Sequence, residues 1–95
     1  MNIGKAIKLC RSQKGLTQKT LAEKVGISIA FLSMIEKGKR DLNFQTLETL
    51  AKGLEIPLNI LIFMGMDNEE AECMPANLRN QLSKLVMEIL ADENK

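Results

Sequence analysis

Three glycine stops set the scale of what this chain can build. Gly15, Gly26 and Gly38 stand 11 and 12 residues apart, and each is followed by a residue suited to start a helix: Thr17, Ser28 and Asn43. Glycine ends helices because it enters the left-handed region at no steric cost. Thr, Ser and Asn start them because their side-chain oxygens accept the free N–H groups of the first turn. Such punctuation limits each helix to about two or three turns.

Apolar residues between these signals recur at helical spacing. Ile3, Ala6, Ile7, Leu9 and Cys10 predict a helix over residues 3–14, closed by a basic last turn and Gly15. Leu21, Ala22 and Val25 share one side of a second helix that starts at Thr17 and ends at Gly26. A third runs from its cap Ser28 to Lys37. Asn43 caps a fourth, in which Phe44, Leu47, Leu50 and Ala51 are expected to face inward, and Pro57 opens a fifth in "PLNILIFM". Residues 65–74 are acidic and poor in core residues; they read as a linker, although their Glu and Ala could extend a helix. Pro75 then opens a helix in which Leu78, Leu82, Leu85 and Ile89 recur at helical spacing, with Val86 and Leu90 widening the stripe. The expected architecture is all-α: a five-helix unit over residues 1–64, a linker over 65–74 and an amphipathic helix over 75–95.

A chain of 95 residues, 45% hydrophobic, supports one modest core. With no Trp or Tyr, that core is expected to be Leu and Ile, with the six methionines as filler. Histidine is absent, and Cys10 and Cys73 lie far apart without metal-ligand spacing, so no disulfide, metal site, cofactor or catalytic His is expected. The longest apolar run, "ILIFMGM", is too short to span a bilayer, and no secretory leader is apparent, which predicts a cytoplasmic protein. A net charge of +1 conceals a polarity. Residues 1–53 carry ten Lys/Arg against four Asp/Glu, net +6, and residues 54–95 carry three against eight, net −5. A polyanion partner at one end and an interaction or solubilising element at the other would suit it.

At "TQKTLAEKVGISIAFLSMIEKGKR" the chain resembles the XRE family of Cro/repressor-type helix-turn-helix proteins, which includes phage repressors, restriction-modification controller proteins and several antitoxins. The resemblance covers about residues 3–64 and rests on "LTQ", "LAEKVGIS", "IEKGKR" and "LETLAKGLEI" in order. It implies a five-helix lambda-repressor-like DNA-binding domain, here with an additional C-terminal helix. A helix-turn-helix needs a short turn that holds its second helix at a fixed angle; Ala22 permits close approach and Gly26 the left-handed turn.

The third helix divides into two faces at about 100° per residue. Leu32, Ile35 and Glu36 fall inward with Phe31 at the border, while Ile29, Ala30, Ser33, Met34 and Lys37 fall outward. The resemblance pairs Glu36 with Arg11 in a salt bridge that locks helix 1 onto helix 3; the alternative is a solvated surface glutamate. It places Thr17, Gln18, Lys37, Lys39, Arg40, Asn43 and Gln45 against phosphates, and Ser28, Ile29, Ala30, Ser33 and Met34 against bases. It also puts Phe31 at a position that touches DNA backbone or a partner subunit. Where relatives offer Gln, Arg, Ser or Asn, this base-reading set has no bidentate donor. Readout then falls to two hydroxyls, contact with thymine methyls and DNA shape, predicting an A·T-tolerant site.

One short helix spans few base pairs, so the resemblance implies a homodimer on double-stranded DNA. The stripe Leu78, Leu82, Leu85, Val86, Ile89 and Leu90, or the apolar end of helix 5, would form the dimer interface. The competing arrangement folds the C-terminal helix back over its own domain. Two functions follow: a sequence-specific regulator, most simply a repressor on a palindromic operator, or a protein-interaction module such as an antitoxin or anti-repressor that uses helix 3 or the C-terminal helix. No nucleophile–base pair or phosphate-cradling glycine loop points to an enzyme.

Overall fold

The computed structural model describes residues 1–92, and residues 93–95, counted above with the C-terminal helix, lie outside the described residues. Seven helices and no strand form among the described residues: α1 (Ile3–Gln13), α2 (Gln18–Val25), α3 (Ile29–Glu36), α4 (Phe44–Leu54), α5 (Leu58–Gly65), α6 (Asn68–Glu72) and α7 (Ala76–Asp92). The caps act as their chemistry requires. Thr17 Oγ1 accepts the Thr20 N–H at 3.0 Å, Ser28 Oγ that of Phe31 at 3.0 Å and Asn43 Oδ1 that of Thr46 at 2.8 Å.

Two glycines fix the attitude of α3. Gly26 takes φ +79°, and its N–H and that of Ile27 both donate to the Ala22 carbonyl, so only Gly26, Ile27 and Ser28 separate α2 from α3. An L-residue there would enter a region that side chains disfavour. Gly4 lies against the far end of the same helix, where a Cβ would collide with the Ile35 carbonyl. The start of α1 is thereby seated on the end of α3.

Ile7, Cys10, Leu21, Leu32, Ile35, Leu50, Leu54 and Leu61 are fully buried and draw α1 to α5 into one core. α5 packs on α1 and α4 inside and on α7 outside. Leu82, Val86 and Ile89 of α7 are half-buried against that body, while Leu78 and Leu85 stay exposed.

Two expectations need correction, and a third gains detail. Phe44 faces solvent, 63% exposed, because as the first residue of α4 its side chain projects back past the edge of the core. Residues 65–74, expected as a linker whose Glu and Ala could extend a helix, contain the five-residue helix α6. It starts with a capping box in which Asp67 Oδ1 accepts the Glu70 N–H at 2.8 Å and Glu70 Oε1 accepts the Asp67 N–H at 3.1 Å. That Glu70 N–H holds the Asp67 carboxyl below the usual carboxylate range. Finally, Leu and Ile fill the core without most of the methionines: Met1, Met34 and Met87 are exposed, and Met64 packs against the core. Its sulfur accepts the Cys10 thiol at 3.5 Å. Burial pushes the Cys10 thiol up to about 11, against the weaker opposing field of Lys14. Cys10 and Cys73 are both free, and among the described residues no helix is long and apolar enough to cross a membrane.

Candidate nucleic-acid interface

The interface stands on one buried carboxylate. Arg11 Nε donates to Glu36 Oε2 at 2.7 Å and Arg11 Nη2 to Oε1 at 3.1 Å, a bidentate fork, while Arg11 Nη1 donates to the Leu16 carbonyl at 2.8 Å. Gln18 Nε2 adds a third bond to Glu36 Oε1 at 3.0 Å. The Glu36 side chain is 2% exposed and that of Arg11 13%. A carboxylate so enclosed is tolerated because three donors replace its water. The network joins α1, the turn after it, α2 and α3, so α3 is fixed at its C-terminal end.

The bond from Gln18 was not legible in the sequence, where this residue is assigned to phosphate alone. An amide nitrogen carries two hydrogens. With one given to Glu36, the other is available to an anion, and the two roles are compatible.

The remaining face of α3 is open. Leu32 and Ile35 are buried beneath it; Ser28, Ile29, Ala30 and Met34 are exposed, with Ile29 at 45% and Met34 at 37%. Ser33 is half-buried, the least accessible of the five expected readers. Ser28 Oγ already accepts the Phe31 N–H, which leaves its O–H donor and one lone pair for another partner. Phe31 is half-buried, and the Arg40 guanidinium lies over its ring, 5.3 Å from the centroid. Ser28, Ala30, Phe31, Met34 and Arg40 together line an open cavity of about 460 Å³.

Around this face stand the groups expected at phosphates. Thr17, Lys37, Lys39, Arg40, Asn43 and Gln45 are exposed and Gln18 half-buried. Thr17 and Asn43 use their side-chain oxygens as caps, and Thr17 Oγ1 also lies 2.9 Å from Thr20 Oγ1. What they offer an anion is the first-turn backbone of α2 and α4. Neither turn contains an acidic residue, so the positive end of each helix is unneutralised. The first turn of α6, by contrast, holds Glu69 and Glu70.

The C-terminal stripe is split by the fold. Leu82, Val86 and Ile89 face the body of the same chain. Leu90 lines a groove with Leu9, Phe63, Met66 and Met87, and Leu78 and Leu85 form an exposed edge.

A short-turned helix pair, with its second helix locked behind and bare in front, defines the helix-turn-helix class of nucleic-acid-binding folds. The helix-turn-helix family model matches residues 7–61, and the chain belongs to the XRE-type branch of that family, a family of DNA-binding regulators. It is 36% identical over 64 residues to the uncharacterized HTH-type transcriptional regulator YqaE of Bacillus subtilis, covering 67% of this chain and 54% of that protein. It is also 36% identical over 62 residues to the immunity repressor protein of Bacillus phage phi105, covering 65% of this chain and 43% of that one. The chain thus spans about half the length of the curated relatives it matches. Among solved structures, the restriction-modification controller protein C.Esp1396I aligns with a TM-score of 0.63 at 35% identity, over 66% of this chain and 83% of that one. A chain of the SinR/SinI protein complex aligns with a TM-score of 0.61 at 26% identity, over 90% and 80%.

Proposed function

We propose that the chain is a DNA-binding transcriptional regulator, most simply a repressor, that reads a palindromic operator in double-stranded DNA as a homodimer. The observation that carries this reading is the standing of α3. Its rear is held by Arg11, Gln18 and Glu36, while Ser28, Ile29, Ala30 and Met34 project into solvent. A helix fixed behind and exposed in front suits entry into a major groove. In this reading the first turns of α2 and α4, with Gln18, Lys37, Lys39 and Gln45, hold phosphates on either side. Ile29, Ala30 and Met34 supply apolar contact for thymine methyls, and the Ser28 and Ser33 hydroxyls supply the polar readout.

One copy of this helix covers a few base pairs, so two copies are needed on half-sites roughly 34 Å apart. The exposed edge of α7, Leu78 and Leu85, is the surface assigned to that pairing, beside Leu82, Val86 and Ile89, which cover the body, and Leu90, which lines the neighbouring groove. The names of the two relatives, a transcriptional regulator and an immunity repressor, support the regulatory reading.

The test is selection of bound duplexes from a random pool by the full chain, followed by a salt titration. Two half-sites in inverted repeat are expected, with affinity falling steeply as salt rises. Lys39→Ala should weaken all sequences alike and lower the salt slope by about one. A second reading, a protein-interaction module, is favoured by the exposure of Ile29 and Met34, and the SinR/SinI neighbour is itself a protein–protein complex. Absence of duplex binding at low salt would move the function to that reading.

A further inference from the structure

The five residues expected to read bases contain no group able to make a bidentate contact, and the sequence places the nearest guanidinium, Arg40, beyond the end of the helix. The fold brings it back. The chain leaves α3 at Glu36 and turns at Gly38, which has φ +73°. It then lays the Arg40 guanidinium over Phe31, a residue of the first half of α3. Arg40 shares one open cavity with Ser28, Ala30 and Met34, three of the residues expected to face the bases. Among the described residues it has no ion pair with a carboxylate, the neighbouring Asp41 included.

We infer that Arg40 is a base-reading residue, which supplies from the α3–α4 connection the planar donor that α3 lacks, and that Phe31 is its positioning residue. This rests on the DNA-binding reading and alters its expected site. A guanidinium held over a ring face, here 5.3 Å from the centroid, spends none of its N–H groups on a carboxylate and keeps them for another partner. Its N–H edge matches guanine O6 and N7 in the major groove, where two parallel hydrogen bonds form. The ring contact also limits the rotamers of a long, exposed side chain, so the guanidinium is kept beside the open face of α3 before DNA arrives. A phosphate clamp needs neither the ring nor the shared cavity; Lys37 and Lys39, both exposed nearby, already suit that task. Each half-site should therefore contain one obligatory G·C pair at the edge of an otherwise A·T-tolerant sequence.

Random-pool selection with the full chain and with Arg40→Lys, Arg40→Ala and Phe31→Leu tests this, helicity being checked for each by circular dichroism. The unmodified chain should select one invariant G·C pair per half-site. Arg40→Lys keeps the charge but loses the fork, and should erase that preference while losing roughly ten- to a hundred-fold in affinity for the selected site. Arg40→Ala should do the same and also lower the salt slope. Phe31→Leu keeps apolar bulk without a ring face and should relax the G·C preference without changing the salt slope. If Arg40→Lys binds the same sequences equally well and Arg40→Ala weakens all sequences uniformly, Arg40 is a phosphate clamp and the inference is overturned. Duplex binding with no G·C pair selected by the unmodified chain overturns it too, leaving the regulatory reading intact. No duplex binding at low salt overturns both.

Discussion

The two ends of the molecule are built to different standards of fixity. From α1 to α5 the chain is basic in its first 53 residues, closes every fully buried hydrophobic side chain into one core, and anchors α3 on a carboxylate with three donors. α6 and α7 belong to the acidic remainder and, among the described residues, contribute no fully buried side chain; the start of α6 is tied to the Met1 ammonium through Asp67 and Glu70, and α7 holds to the body by a half-buried row, Leu82, Val86 and Ile89. The contrast has a physical reading. A helix that must present side chains to a groove at a set angle gains from a rigid bed, because misplacement of the bed misplaces every contact. A helix that covers its own domain on one edge and offers Leu78 and Leu85 on the other needs only enough attachment to keep its orientation.

The strongest way to break this contrast is to remove the lock. Glu36→Ala leaves Arg11, 13% exposed, without its carboxylate, and should destabilise the chain by about 3–5 kcal/mol in urea denaturation. Glu36→Gln retains a hydrogen-bonding side chain of the same shape and should cost less. The matching change at the other end is Leu82→Ala, where only a half-buried side chain is lost; about 1–2 kcal/mol is expected, below the range for fully buried Leu→Ala changes. Equal losses from Glu36→Ala and Leu82→Ala would remove the distinction between the two regions.

Next in size is an effect on assembly. Leu78→Glu with Leu85→Glu puts charge on the exposed edge of α7 without touching the row that faces the body. Sedimentation should show a dimer weakened at least about ten-fold, with monomer stability nearly unchanged, as for surface substitutions in general. An unaltered dimer would move pairing to the groove beside Leu9, Phe63 and Met87. Deleting the whole of α7 is a poorer probe, because it also uncovers α5.

The cysteines sharpen the comparison chemically, one in each region. Cys73 is exposed and should react with a thiol reagent at once in the native protein, whereas Cys10 should react only on unfolding. Burial raises the native Cys10 thiol to about 11 from 9.0, so the unfolded chain releases its proton first as pH rises. Between about pH 9 and 11 the native state binds more protons than the unfolded state, and stability must fall with rising pH across that window. Cys10→Ala should remove this slope, and urea midpoints at pH 8 and pH 10 compare the two proteins.

How far the sequence discloses this arrangement depends on the range of the interactions. Thr17, Ser28, Asn43 and Gly26 were legible because a cap or a left-handed turn is decided within a few residues. The inward set Leu32, Ile35 and Glu36 was legible from periodicity, and the Arg11 partner of Glu36 from family resemblance. Asp67 and Glu70 carried a readable capping-box signal that the acidic composition of the stretch obscured. Periodicity turns Phe44 inward because it assigns a direction around the helix axis but not a position along it; at the first residue of α4 the core has already ended. Gln18 on Glu36, and Arg40 over Phe31, were beyond reach, since each depends on how two elements meet in space.

The smallest expected effect sits on the boundary itself. Glu55 ends α4 at φ +58° and ψ +41°, the one non-glycine residue with positive φ among those described, and its N–H donates to the Lys52 carbonyl at 3.0 Å. A left-handed backbone costs an ordinary side chain roughly 1 kcal/mol or more, and glycine avoids that strain. Glycine also gives the unfolded chain more freedom, which offsets part of the gain. The only ion pair of Glu55 among the described residues runs to Lys24 at 3.7 Å, with both side chains well exposed, and pairs of that kind contribute little. Glu55→Gly should therefore stabilise the chain by about 0.5–1 kcal/mol, and Glu55→Asn by less, in urea denaturation. A loss of stability in Glu55→Gly would show that the pair with Lys24, which ties the end of α4 to α2, contributes more to the bed of α3 than its exposure suggests.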